Sequence, residues 1–451
     1  MNFFQFSATF FLLLVTKLTF AWNAPSISSP AAGSDNWVGI TLNWNSVSGS
    51  QFYQVQIDTT PQFNSPILYS ATKAYINSVS SNSDTQENPP ALRFGQNYFW
   101  RVRAYITGDT SVWTNATFVT RDYVTQSSPA IGSDVWAGTT LNWTPHTGVQ
   151  FYQVQADTSA SFNSPALRVQ TNGYVNSTDG NGDTQHYITD LYFGTNYKWR
   201  VRAINAVDTT AWSPVWTFVT RDYVTQSSPA IGSDVWAGTT LNWTPHTGVQ
   251  FYQVQADTSA AFNSPALRLQ TNGYINSTDG NSDTQYFLSD IYFGATYRWR
   301  VRAINAVDTT MWSPVWTFVT RDYVSFSSPS NGATNVSLNP TLNWTPHTGV
   351  GSYTLQVDIS NLFNTGALQT FQKPYINSTD GNSDTQQGIS GLAANTVYFW
   401  RVRANNSVDS SAWTTRWFST GTATPLFPGT PTLNSEQCGI DQVSNQEHQL
   451  S

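Results

Sequence analysis

The stretch Tyr297-Arg298-Trp299-Arg300-Val301-Arg302-Ala303 limits what this chain can fold into more than any other. Tyr297, Trp299, Val301 and Ala303 fall on one side of an extended chain and three arginines on the other, the period-two pattern of a half-buried antiparallel strand. The same heptad recurs at Tyr98 to Ala104, Tyr197 to Ala203 and Tyr398 to Ala404, with tryptophans at 100, 199, 299 and 400. The chain is therefore a tandem array with a period of about 100 residues, and each period is large enough to bury a core of its own.

The period divides the 451 residues into repeats at 22–121, 122–221, 222–321 and 322–421. The second and third are identical at 87 of 100 positions, and the first is the divergent one. Residues 1–21 are apolar and end in Thr19-Phe20-Ala21, so they read as a removable export signal, with no later segment able to span a membrane. Residues 422–451 turn to Pro, Thr and Gln and read as a linker or as an incomplete fifth repeat, since Ser435, Gly439 and Val443 lie over Ser328, Gly332 and Val336. Residues 318–324 pass from one repeat to the next with no Gly/Ser run, which predicts neighbours placed end to end.

Composition narrows the class. Glutamate occurs only at 87, 436 and 447, while aromatics reach 15%, which disfavours helix and favours strand. A net charge of -7 with no basic cluster excludes nucleic acid as the partner. Cys438 is the sole cysteine, so the exported repeats fold on core packing without disulfides. In the third repeat the strands read as 225–228, 239–244, 251–257, 266–271, 284–290, 295–305 and 315–321. Seven short strands separated by Gly, Pro and Asn turns predict a two-sheet antiparallel sandwich.

Candidate chemistry is sparse. His146, His246 and His347 occupy the same Thr-Pro-His-Thr-Gly turn, one imidazole per repeat, which suits scaffold better than catalysis or a metal site. Asp179, Asn181 and Asp183, with Asp279, Asn281 and Asp283 and with Asp380, Asn382 and Asp384, place oxygen ligands at alternate positions, as calcium prefers. The alternative is an Asx turn closing a long loop. No other cofactor is expected. Most tryptophans are claimed by the core or by the last strand, but Trp136 and Trp236 sit on turn-like Ser-Asp-Val-Trp-Ala-Gly segments and are the ligand candidates. By parity Arg300 and Arg302 face outward beside Trp312 and Trp316, which predicts guanidinium planes lying over indoles.

These residues also carry a resemblance. Leu241-x-Trp243, Tyr252-x-Val254, Ile291 six residues before Tyr297, Val301-x-Ala303 and Trp312-Ser313 followed by Phe318-x-Thr320 together resemble a fibronectin type III domain, in all four repeats. The resemblance makes Tyr297 the tyrosine of the corner between the fifth and sixth strands, and Trp243 the core tryptophan of the second. The Trp-Arg-Val-Arg-Ala strand and the stretch from Asp257 to Phe262 are similar to repeats in secreted surface proteins of Bacteroidota. The expectation is a non-enzymatic, secreted or cell-surface array, a rod-like spacer or adhesive segment meeting a protein or glycan at the cell surface. The alternative is a carbohydrate-binding accessory region of a larger secreted enzyme.

Overall fold

The computed structural model describes residues 22–75, 83–173, 184–273, 284–376 and 383–422. Among them the regular structure is extended apart from short 3-10 turns such as Ser83–Thr85, and no helix is long and apolar enough to cross a membrane.

In the first repeat the strands are β1 (Ile27–Ser29), β2 (Ser34–Asn36), β3 (Leu42–Trp44), β4 (Phe52–Asp58), β5 (Tyr69–Ala74), β6 (Gln86–Glu87), β7 (Asn97–Ile106), β8 (Asp109–Thr110) and β9 (Thr114–Thr120). One sheet has the order β1-β3-β6 and the other β2-β9-β7-β4-β5, with β8 pairing only with β7. The second, third and fourth repeats repeat this pair of a three-stranded and a five-stranded sheet. The fold is thus four tandem sandwiches of the fibronectin type III-like kind, all β. The chain divides into two compact units, Met1–Ile231 with Thr240–Tyr286 and Arg298–Thr317, and Gly232–Thr239 with Phe287–Tyr297 and Phe318–Ser451.

All seven strands read from the third repeat are present, and Phe251–Asp257 has the expected bounds. An eighth, Ser233–Val235, was not read from the sequence. It runs parallel to the last strand, with Ser233 opposite Phe318 and Val235 opposite Thr320, so the sandwich is not wholly antiparallel. Three residues are too few to display a period of two, so only its partner reveals it.

Parity decides the core. Trp243 and Trp299 are fully buried, as are Trp44, Trp100, Trp143, Trp199, Trp344 and Trp400. The tyrosine corner forms in every repeat, the hydroxyls of Tyr98, Tyr197, Tyr297 and Tyr398 accepting the N–H of Arg93, Tyr192, Tyr292 and Ala393 at 2.9–3.1 Å. A second tyrosine does the same at the turn after Thr139–Trp143 and after Thr239–Trp243: the Tyr152 hydroxyl accepts the His146 N–H at 2.9 Å, and Tyr252 accepts that of His246 at 2.8 Å. A phenol can lie in the core only if its oxygen finds a partner, and these backbone amides supply it.

On the outer face the arginines stack as expected, in part. Arg300 lies 4.0 Å from the Phe262 ring and 4.5 Å from Trp312, and Arg302 lies 4.4 Å from Trp312. Gln255 and Gln253 accept from the two guanidinium groups at 2.6–2.9 Å, which fixes each plane over its ring. Trp316 takes no part in this ladder. It pairs edge-on with the buried Trp299 at 6.1 Å, because it shares the inward parity of that residue. The stretch from Asp257 to Phe262 gains a physical meaning here. Asp257 accepts from the Ser264 N–H at 2.9 Å and the Ser259 N–H at 3.2 Å, closing a turn that holds Phe262 at φ 53° beneath Arg300. Burial alone would raise the Asp257 pKa; the hydrogen bonds from Ser264, Ser259 and Thr258 outweigh it and hold the carboxyl below its usual range.

Candidate functional site: the joints between repeats

Trp37, Trp136 and Trp236 share one setting. Trp37 stacks on His146 of the next repeat with ring centroids 3.2 Å apart, Trp136 on His246 at 3.4 Å, and Trp236 on His347 at 3.5 Å. Arg121, Arg221 and Arg321 lie over the same three indoles at 5.3, 4.3 and 4.3 Å. Each indole is thus contacted by both an imidazole of the next repeat and a guanidinium of its own. The guanidinium is steered in turn by an aspartate of the short parallel strand: Arg121 meets Asp35 at 3.0 Å, Arg221 meets Asp134 at 2.9 Å and Arg321 meets Asp234 at 2.9 Å.

Next to each indole two glycines face one another. A Cβ on Gly39 would lie 2.3 Å from the Gly148 nitrogen, one on Gly138 2.5 Å from that of Gly248, and one on Gly238 2.4 Å from that of Gly349. The close approach lets main chains bond across the joint, the Gly39 N–H donating to the Thr147 carbonyl at 2.9 Å and the Gly138 N–H to that of Thr247 at 3.0 Å. Thr348 donates its hydroxyl to the Gly238 carbonyl at 2.5 Å.

A second contact docks the turn before the last strand. Asn205 donates to the Leu92 carbonyl at 2.8 Å while Asp208 accepts from the Phe94 N–H at 3.1 Å. Asn305 and Asp308 treat Leu191 and Phe193 likewise, at 2.8 and 2.9 Å. Asn406 and Asp409 do the same to Ile291 and Phe293, at 2.8 and 3.0 Å. Each joint therefore joins a plug, the Trp-x-Gly turn, to a socket made of the His-Thr-Gly turn and the Asn-x-x-Asp turn.

The sockets' histidines are at most 4% exposed. Burial, and then the nearby Arg121 and Arg221, press the pKa of His146 and His246 down to about 3. Burial, with Arg321 adding to it, takes His347 to about 4. The rings are neutral at physiological pH, as stacking on an indole beside a guanidinium requires. Among the described residues no group of three or more His, Cys, Asp or Glu could hold a metal. Of the calcium candidates, Asp179, Asn181, Asp183, Asp279, Asn281, Asp283, Asp380 and Asn382 lie outside the described residues. Asp384 is buried and accepts from the Ile376 N–H at 2.8 Å.

Sequence reading assigned Trp136 and Trp236 to a ligand and the histidines to scaffold; the structure brings the two sets together across the joints. It also adds the Asn-x-x-Asp turn, which the repeated Asn-x-Val-Asp at 205–208, 305–308 and 406–409 could have signalled. No protein-family model matches the chain, and no curated protein matches it. Among solved structures it is similar to the FN1–FN3 domains of chicken CNTN1, at 18% identity over 66% of this chain and all of that one, with a TM-score of 0.19. That likeness is too slight to carry an argument. Strand order, tyrosine corners and buried tryptophans instead define this chain as a tandem of four fibronectin type III-like sandwiches.

Proposed function

We propose that the protein is a non-enzymatic, secreted or cell-surface array whose repeats act as a spacer and as an adhesive interaction segment. The joint is the observation that carries this reading. Three successive pairs of repeats are locked by the same indole–imidazole stack, facing glycines and docked Asn-x-x-Asp turn, and a spacer needs neighbours held at a fixed angle. A binding or catalytic module needs no such repetition. The resemblance to secreted surface repeat proteins of Bacteroidota and the reading of residues 1–21 as an export signal support the location. Spin labels on exposed sites of the first and second repeats test the spacer role. A narrow distance distribution that broadens in Trp37→Ala is the expected result; a broad distribution in the unaltered protein would remove the basis of the reading.

A further inference from the structure

We infer that the outer face of the first repeat carries a saccharide-binding groove that the other repeats have closed. A hollow of about 540 Å³ opens there between Pro61, Phe63, Phe99, Arg101, Asn115 and Thr117. That is within the range of small-ligand sites. Two positions decide whether the hollow exists. Where the first repeat has Phe99, the second and third have Lys198 and Arg298, whose cationic ends reach across to the carbonyls of Thr158 at 3.0 Å and Thr258 at 2.7 Å. Where the first has Thr117 opposite Phe99, the fourth has Trp417 opposite Phe399. Only the first repeat combines an aromatic floor with a small residue facing it.

The lining identifies the ligand's chemistry. Phe99 is half-exposed, Asn115 is exposed, and Thr117 is half-exposed. Arg101 is held in place by Gln56 at 2.8 Å and by the Phe63 ring at 4.0 Å. An apolar ring face beside an amide, a hydroxyl and a guanidinium suits a pyranose, which offers a C–H face for stacking and hydroxyls around its edge. The position corresponding to Asn115 is Val215 in the second repeat and Val315 in the third, so the amide too belongs to the first repeat alone. Trp136 and Trp236, the sequence-level candidates for sugar stacking, lie elsewhere, in the joints. This inference goes beyond the spacer reading and stands independently of it.

The test uses the full chain on an immobilised array of neutral and acidic oligosaccharides, followed by calorimetric titration of the strongest binder. Phe99→Lys and Thr117→Trp each install a residue that a sister repeat already carries, and thermal unfolding reports whether either variant folds as before. Binding that falls at least about tenfold in both variants with unfolding unchanged is expected. Lys198→Ala should bind as the unaltered protein does. No oligosaccharide bound at ~1 mM, binding undiminished in both variants, or capture of a protein ligand alone would overturn the inference.

Discussion

The first and fourth repeats differ from the inner two in complementary ways. The first has the plug, Trp37 and Gly39, but its corresponding turn has Val47 where the others have histidine, and Ile106-Thr107-Gly108-Asp109 stands in place of Asn-x-x-Asp, keeping the aspartate but not the asparagine. A Cβ added to its Gly49 meets nothing within 4 Å. The fourth has the socket of His347, Asn406 and Asp409, but Ser337 and Leu338 stand where the third has Trp236 and Ala237, with Asn339 and Pro340 following in place of Gly238 and Thr239. The inner repeats carry both halves. Joint chemistry is thus separable from sandwich chemistry, since all four repeats share the core tryptophans, the tyrosine corner and the arginine ladder.

The sharpest way to break this comparison is Gly138→Val. Its side chain would meet the Gly248 main chain, which cannot yield cheaply, so the joint should open with a loss of about 3 kcal/mol and a broadened label distance between the second and third repeats. Gly49→Ala should cost only the strain of φ 83°, about 1–2 kcal/mol, with joint distances unchanged. If both variants behave alike, the facing glycines do not define the joint.

Acid should separate the two kinds of chemistry next. The joint histidines are neutral when stacked and have depressed pKa values, so the released joint binds more protons and stability rises with pH. Their contribution is complete above pH 6.5 and is lost as pH falls toward about 3 for His146 and His246, and about 4 for His347. Each pH unit in that window should cost up to ~1.4 kcal/mol per joint. Label distances across the first joint should broaden between pH 6 and pH 4, and His146→Gln should remove that dependence. A flat profile in the unaltered protein would contradict the buried, stacked imidazole.

A smaller effect is expected from Trp136→Ala, about 2 kcal/mol because the indole is only half-buried, seen as a lower midpoint for the second and third repeats. Ser337→Trp should stay within ~0.5 kcal/mol, because no histidine among the described residues is placed to stack on an indole there. Arg302→Lys should cost about 0.5–1 kcal/mol through the ladder over Trp312, and the equivalent Arg103→Lys should cost the same in the first repeat. An effect confined to inner repeats would mean that the ladder belongs to the joints after all.

Much of the sandwich was legible because its signals are local. Alternation in Tyr297 to Ala303 gives both the strand and its buried face, and the spacing from Ile291 to Tyr297 marks the corner. Ser233–Val235 escaped because three residues hold no pattern without their partner. The joints escaped for a different reason. Trp136 and His246 are 110 residues apart, and stacking across a boundary leaves no periodicity in either segment. The available signal was the paired absence: the repeat without the turn histidine and the repeat without the turn tryptophan stand at opposite ends of the described array. Trp136 and Trp236 stand apart from the core and last-strand tryptophans because each packs on the neighbouring repeat. The placement of Trp316 was a parity question, settled inward by its edge-on contact with Trp299.

The short parallel strand has a mechanical meaning. If the array is pulled lengthwise, force enters a sandwich at its first residues and leaves at its last. Ser34–Asn36 and Thr114–Thr120 lie side by side in parallel, with Asp35 beside Val119 and Arg121 clamped to Asp35 at 3.0 Å. Tension then slides the two strands past each other and strains several hydrogen bonds at once, whereas an antiparallel edge would open one bond at a time. Each sandwich should therefore yield only at high force, and Asp35→Ala, which frees Arg121, should lower the unfolding force of the first repeat in single-molecule extension. An unchanged force would mean that the load is carried elsewhere.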